Sequence, residues 1–308
     1  MPQIITIIGP TATGKSDLAV AVALYIEKTY GKKAEIISTD SRQIYRHLDI
    51  GTGKITCKEM QGVTHHMLDI IEPQDRYSVF AYAKDVKNIL ADIYSRGAIP
   101  ILCGGTGLYT DAIIFGNAGS PTPADLKTQD ALEALTITEL REILKNISEE
   151  KSADISHVDM VNKRRIARAI TILKQDGTFA KQNTEPLYET LFIGLDTTTE
   201  KLRERIQKRI EVRMQQGMIE ESEKLLQQNI LTHECMQKLG LEYKFISQLI
   251  QKEITLTEFA EKLFSATWHY AKRQRVWFKR YTTTYWFDSE EIQQNNAPVY
   301  TVVDEFLK

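Results

Sequence analysis

Apolar positions recur along the chain with two periods. Short β-branched runs at residues 4–8, 35–38, 64–70, 98–103, 191–195 and 284–287 read as buried strands. After the first of them, Leu18, Ala19, Val22, Ala23 and Ile26 fall on one face of a helix. A second helical pattern runs from Ser78 to Ser95, with Ser78 as its N-cap and Gly97 as its stop. Strands alternating with helices predict an α/β fold, a parallel sheet with helices on both faces. Ligands in such sheets bind beyond the carboxyl ends of the strands. That rule directs attention to residues 9–16, 39–43 and 104–109, each of which follows a strand.

The pattern breaks at Gly116-Asn117-Ala118-Gly119-Ser120-Pro121-Thr122-Pro123, which reads as a hinge or linker. From there to about Pro186 the periodicity suits several short helices and no clear strand. The simplest organisation is an α/β core of residues 1–116 and 190–308, interrupted by an all-helical insertion at 117–189. Residues 198–281 read as mostly helical, and 255–281 as one long amphipathic helix, basic toward its end. Internal repeats and low-complexity segments are absent from the sequence.

Composition changes this picture little. The 308 residues carry a net charge of -2, which does not predict nucleic-acid binding. The charge is unevenly spread, however. Lys163, Arg164, Arg165 and Arg168 form one basic cluster, Lys201 to Arg213 a second, and Lys272 to Arg280 a third. Such faces can bind a polyanion, or can be solvated helix faces balanced by Glu204, Glu211 and Glu220. Cys57, Cys103 and Cys235 are far apart and form neither metal spacing nor a disulfide framework, which fits a reducing cytosol. With no apolar stretch of membrane-spanning length and no secretory pattern, a cytoplasmic protein is expected.

The most specific local signal is Gly9-Pro10-Thr11-Ala12-Thr13-Gly14-Lys15-Ser16, which fits the phosphate-loop pattern at every defined position. Strand, glycine loop and helix N-terminus make a cradle of N–H groups for phosphates. Lys15 would neutralise them and Ser16 would hold Mg²⁺. Asp40, after the second strand, suits a general base, a metal ligand or a helix N-cap. Gly104-Gly105-Thr106-Gly107-Leu108-Tyr109 closes another strand where nucleotide hydrolases place an Asp, which argues against a nucleotide-driven motor or switch. Thr106 offers a hydroxyl and an N–H to a phosphate oxygen, or caps the next helix. His65 and His66 are adjacent in a strand and point to opposite faces, so they read as structural or substrate-lining. Trp268, Tyr270, Trp277 and Phe278 lie among basic residues, an interleaving that suits RNA stacking or core packing.

Together these segments resemble the tRNA dimethylallyltransferase (tRNA isopentenyltransferase) family nearly end to end. The phosphate loop is similar to the family's own. Residues 36–45 with Leu48-Asp49-Ile50-Gly51-Thr52, then His65-His66-Met67-Leu68-Asp69, and residues 104–109 look like three further signatures. Asn162, Arg165, Arg168 and Ala169 match its insertion helix, and Ala271-Lys272-Arg273-Gln274 with Trp277-Phe278 its C-terminal helix. The resemblance implies transfer of a dimethylallyl group from its diphosphate to the exocyclic amine of the adenosine 3′ of the tRNA anticodon. It implies that Asp40 orients the amine and takes its proton, and that Thr106 binds the bridging oxygen. Gly9 to Ser16 with Mg²⁺ would hold the departing diphosphate. Ser41, Arg42 and Gln43 would contact the RNA with Asp40 and Thr106. Arg164, Arg165, Ile166, Ala167 and Arg168 would carry the insertion over the anticodon loop. The partners implied are tRNA and dimethylallyl diphosphate, met by a monomer. Gly240-Leu241-Glu242 departs from the family's frequent Gly-Tyr-Lys, and Val161-Asn162 from its Asn-Asp. Competing readings are a P-loop small-molecule or nucleotide kinase, a prenyltransferase acting on free adenylate, and an RNA-binding protein using the loop as a phosphate sensor.

Overall fold

The computed structural model describes every residue except 121, 123–125, 157, 176, 178 and 180–182. Pro121 and Pro123 of the expected linker therefore lie outside the described residues. In the first half of the chain the strands are β1 (Gln3–Ile8), β2 (Ala34–Ser38), β3 (His65–His66) and β4 (Ile99–Cys103), and the helices α1 (Lys15–Tyr30), α2 (Cys57–Met60), α3 (Val79–Ser95) and α4 (Gly107–Ile114). Then come α5 (Leu126–Ala134), α6 (Ile137–Glu150), α7 (Lys163–Lys174) and β5 (Glu189–Asp196). A helical run follows: α8 (Thr199–Gln215), α9 (Met218–Gln227), α10 (His233–Leu239), α11 (Leu241–Ile250) and α12 (Leu256–Phe278). The chain closes with β6 (Tyr285–Asp288), α13 (Ser289–Gln294) and α14 (Ala297–Leu307).

All six strands pair in parallel, in the order β3-β2-β4-β1-β5-β6. A parallel sheet needs cover on both faces, and alternation along β1 supplies it. Ile5 and Ile7 pack with Leu18, Val22 and Ile26 of α1 and Val299 and Val303 of α14. Ile4 and Ile8 pack on the opposite face with Tyr82, Val86 and Leu90 of α3 and Phe278 of α12. Two further cores stand apart from the sheet. Helices α8 to α12 close over Leu48, and α5 to α7 bury Leu140, Leu144, Ile166 and Ile170 among themselves. No described helix is long and apolar enough to cross a membrane.

Helix α3 starts on Ser78, whose side chain accepts from Ala81 N–H, and Gly97 follows its end at φ +66°. One expected strand is much shorter than its apolar pattern. Of residues 64–70 only His65–His66 is extended, because Met67 and Asp69 turn left-handed at φ +65° and +54°. The freed backbone donors go elsewhere: Asp69 N–H to Gln43 O at 3.3 Å and Ile70 N–H to Ile44 O at 2.8 Å. The segment thereby braces the loop after β2 and does not extend the sheet.

Candidate active site

Three loops meet at the carboxyl ends of β1, β2 and β4. The first turns on glycines that no other residue replaces. A Cβ at Gly9 (φ +144°) would lie 2.1 Å from Leu195 O on β5. Gly14 (φ +82°) is the N-cap of α1 and offers no capping side chain, so first-turn N–H groups of α1 stay open to an anion. Ala12 is also left-handed, at φ +65°. Thr13 Oγ1 and Lys15 Nζ both donate to Pro10 O, at 2.9 and 2.5 Å. Burial pushes the Lys15 amine down to about 8, the mark of a cation short of a counter-anion. Ser16 is exposed, and its hydroxyl bonds to none of the described residues.

The second and third loops are locked side by side. Asp40 Oδ1 accepts Arg42 N–H at 2.8 Å, so the carboxylate braces its own turn with one oxygen, and the other bonds to none of the described residues. Ser41 N–H donates to Thr106 Oγ1 at 3.1 Å, Thr106 Oγ1 to Ser41 Oγ at 3.3 Å, and Thr106 N–H to Thr39 O at 3.0 Å. A Cβ at Gly104 would stand 2.5 Å from the Thr39 carbonyl carbon, so only glycine permits this approach.

Gln274 of α12 ties this pair to the phosphate loop. Its Oε1 accepts Thr11 N–H at 2.8 Å and its Nε2 donates to Gly105 O at 2.8 Å. Because one partner only donates and the other only accepts, the amide orientation is fixed. Sequence reading placed Gln274 in a motif but gave it no task.

Two cavities flank the loops. One of about 280 Å³ is lined by Thr11, Asp40, Ser41, Arg42, Tyr270 and Arg273 among others. The other, about 710 Å³, is lined by Lys15, Ser16, Lys54, Arg205 and Lys208 among others. Arg209 faces both and donates to Thr11 Oγ1 at 3.2 Å. Burial, then the neighbouring Arg213, pushes its pKa down. Arg205, Arg209 and Arg213 lie four residues apart on α8, hence on one helix face, and all three line the larger cavity. That spacing was the available signal within a run read only as a basic cluster.

The loop joining Leu48 to Lys54 is clamped from both sides. Glu221 of α9 accepts N–H groups from Asp49, Ile50 and Gly51 at 3.1, 2.8 and 3.2 Å. Arg213 donates to Gly51 O at 3.1 Å and Thr52 O at 3.2 Å. Glu221 was not named from sequence and Arg213 only as a member of a basic cluster, because a clamp between segments about 160–170 residues apart leaves no local pattern.

The remaining predicted residues are more dispersed. Gln43 lies outside both cavities, donating to Gly53 O at 3.2 Å. None of Arg164, Arg165, Ile166, Ala167 and Arg168 lines either cavity. Arg164 and Arg165 are exposed beside Glu133 and Asp159, and Arg168 reaches Thr122 O. Ile166 and Ala167 are fully buried in the α5–α7 core, so their side chains hold the helix rather than face solvent. His66 pairs with Glu35 at 2.7 Å and His65 with Val63 O at 2.9 Å, away from the cavities. Trp268 and Trp277 pack against separate cores, with Arg203 over the first ring and Arg280 over the second.

The sequence model of the IPP transferase family matches residues 43–281, and that of isopentenyl transferases matches residues 2–80. A tRNA dimethylallyltransferase of Caldanaerobacter subterraneus is 38% identical, across 95% of this chain and 96% of its own. One of Bacillus licheniformis is 34% identical, across 98% and 96%. Among solved structures, the full-length tRNA isopentenylpyrophosphate transferase of Bacillus halodurans superposes with a TM-score of 0.70 at 30% identity, over 99% of this chain and 98% of that one. A eukaryotic dimethylallyltransferase acting on tRNA shares the fold, with a TM-score of 0.79 at 22% identity. With its phosphate loop, its two partner loops and these relatives spanning nearly its whole length, the chain belongs to the IPP transferase family of tRNA dimethylallyltransferases.

Proposed function

We propose that the chain transfers a dimethylallyl group from dimethylallyl diphosphate to the exocyclic amine of the adenosine 3′-adjacent to the anticodon, releasing diphosphate. The observation that carries this reading is that Asp40 and Thr11 of the phosphate loop line one cavity, with Thr106 bonded to Ser41 at its wall. The carboxylate and the start of the phosphate loop thus line one space, Thr106 stands one hydrogen bond behind its wall, and Lys15 and Ser16 line the adjoining cavity that Arg209 shares. The free oxygen of Asp40 orients the amine and accepts its proton, which a purine-conjugated amine needs because it is a weak nucleophile. Thr106 donates to the oxygen bridging carbon and diphosphate. Lys15, Arg209 and the N–H groups of α1 take up the charge that develops on the leaving group.

Ser16 fits a divalent cation, and we assign Mg²⁺ to it. Its hydroxyl is exposed at the first turn of α1 and unengaged, and no trio of His, Cys, Asp or Glu among the described residues forms a rival metal site. Mg²⁺ keeps most of its waters and needs few protein ligands. When bound it offsets charge on the diphosphate.

The acceptor must present its adenine outside the base stack. Arg42 and Arg273 line the cavity and form no salt bridge among the described residues, which supports an RNA backbone at its mouth. Helix α7, with Arg164, Arg165 and Arg168, is proposed to approach the anticodon loop from the helical insertion. A kinase reading accounts for the phosphate loop but gives no task to Thr106 or the arginine-lined cavity. The test is transfer of label from radiolabelled dimethylallyl diphosphate, with Mg²⁺, to unmodified tRNA, with ATP and AMP as rival acceptors. Label in tRNA that is lost with Asp40→Ala, while RNA binding persists, is expected. ATP consumption without any labelled acceptor would overturn the assignment.

A further inference from the structure

Glu242 is a carboxylate in the reaction cavity that the proposed chemistry leaves unused. It lines the space shared by Asp40, Thr11 and Arg209. Its Oε1 accepts from Arg213 Nη1 at 3.2 Å, and its Oε2 bonds to none of the described residues. The side chain is only 14% exposed. An unusual backbone delivers it there. Gly240 (φ +72°, ψ -166°) occupies a region open essentially to glycine, and Leu241 is left-handed at φ +43°. This junction of α10 and α11 turns both Leu241 and Glu242 into the cavity.

Electrostatics make the placement unfavourable for the reaction as so far described. A negative charge beside Arg209 and Arg213 weakens the positive field that would hold a diphosphate. Half-partnered and shielded from water, it also gains nothing from contact with a hydrocarbon. A second polar group lies in the same wall. Thr267 Oγ1 is buried, lines this cavity and has no hydrogen-bond partner among the described residues.

The substrates limit what can satisfy an acceptor at this place. Adenine's donors are the two N–H of its exocyclic amine, both on the nitrogen that Asp40 must hold, and its ring nitrogens only accept. A dimethylallyl group carries no donor at all. Away from that nitrogen, the donors left on the target nucleotide and the prenyl donor are hydroxyls: the ribose 2′-OH, or a hydroxyl on an oxygenated allylic diphosphate. We propose that Glu242 is a specificity-determining residue that accepts a hydrogen bond from such a substrate hydroxyl, with Thr267 bordering the same space. This inference rests on the prenyl-transfer reading. The bond changes of that reaction are unaltered: carbon–oxygen to diphosphate breaks, carbon–nitrogen forms, the amine proton leaves to Asp40, and the hydroxyl is retained.

The experiment measures kcat/KM on two substrate pairs, each differing by one hydroxyl. One pair is dimethylallyl diphosphate and its analogue hydroxylated on a terminal methyl. The other is an anticodon stem-loop RNA and the same RNA with a single 2′-deoxy target adenosine. The natural chain should favour the hydroxyl-bearing member of one pair by at least about tenfold, and that pair identifies the source. Glu242→Leu should bring that ratio close to one and leave the other ratio unchanged. Glu242→Gln, which keeps an oxygen for Arg213, should lower the ratio severalfold and carries the comparison if the leucine variant does not fold. Two results overturn the proposal: no discrimination by the natural chain in either pair, or equal loss on all four substrates, which would make Glu242 only a support for Arg213. Failure of the natural chain to label any RNA would instead sink the prenyl-transfer reading beneath it.

Discussion

Replacing Gln274 by methionine tests whether the phosphate loop and the Thr106 loop work as one unit. The side chain is 5% exposed, so methionine fills nearly the same buried volume while removing both polar atoms. Thr11 N–H loses its acceptor and Gly105 O its close donor, leaving that carbonyl with only the Tyr270 hydroxyl at 3.5 Å. One buried and one part-buried hydrogen bond, at about 1 kcal/mol net each, predict a loss of roughly 2 kcal/mol. For a chain of this size that lowers the melting temperature by about 4 °C. If the two bonds hold the loops in the geometry of the transition state, the same energy appears as a fall of about 30-fold in kcat/KM. Gln274→Glu separates the two contacts. It keeps an acceptor for Thr11 but sets a carboxylate oxygen against Gly105 O, so it should be at least as damaging. Thermal melts and steady-state labelling of tRNA give both numbers. A methionine variant that loses stability yet keeps kcat/KM within twofold would refute the coupling.

Three further outcomes are expected. Because burial holds the free Lys15 amine near 8, kcat/KM for the diphosphate substrate should fall about tenfold per pH unit above about pH 8. The stability of the ligand-free protein moves the other way. A lysine whose folded pKa is depressed binds fewer protons than in the unfolded chain between about 8 and 10.5, so its contribution to stability rises with pH across that window, and Lys15→Met should remove both effects. Gly53→Ala places a Cβ 2.0 Å from Arg213 Nη2 and 2.7 Å from Arg209 Nη2 at φ +57°, and should raise KM for the diphosphate and lower stability by about 1–3 kcal/mol in denaturant titration. Glu221→Ala strips the acceptor from three N–H groups, so hydrogen exchange at Asp49, Ile50 and Gly51 should accelerate by about ten- to a hundredfold, ahead of global unfolding.

What could be read from the sequence was local in kind. The phosphate loop, Asp40 and Thr106 each sit directly after an apolar run, so strand and loop announce each other, and the parallel α/β sheet followed from the same runs. Residues 64–70 misled because Met67, Leu68 and Ile70 imitate a strand, while the left-handed turns at Met67 and Asp69 are imposed by contacts with residues 43 and 44. Ile166 and Ala167 were grouped with the arginines beside them, although helical periodicity turns them inward. Gln274, Arg209 and Glu221 act on partners 263, 198 and 171 residues away, at distances where no spacing rule applies. The four-residue repeat of Arg205, Arg209 and Arg213 was the exception, a local signal that charge counting blurred.

The Gln274 bridge also places the site in the time order of synthesis. Asp40, Thr106 and the phosphate loop all leave the ribosome early, but the side chain that joins them follows Gly105 by 169 residues. At about 5–20 residues per second that interval is on the order of ten to thirty seconds. Through it the nascent chain carries the phosphate loop, Asp40 and Thr106, with the two glycine loops still unjoined. A product ending before α12 is thus expected to be inert despite its intact phosphate loop, with competence arriving when the last long helix docks.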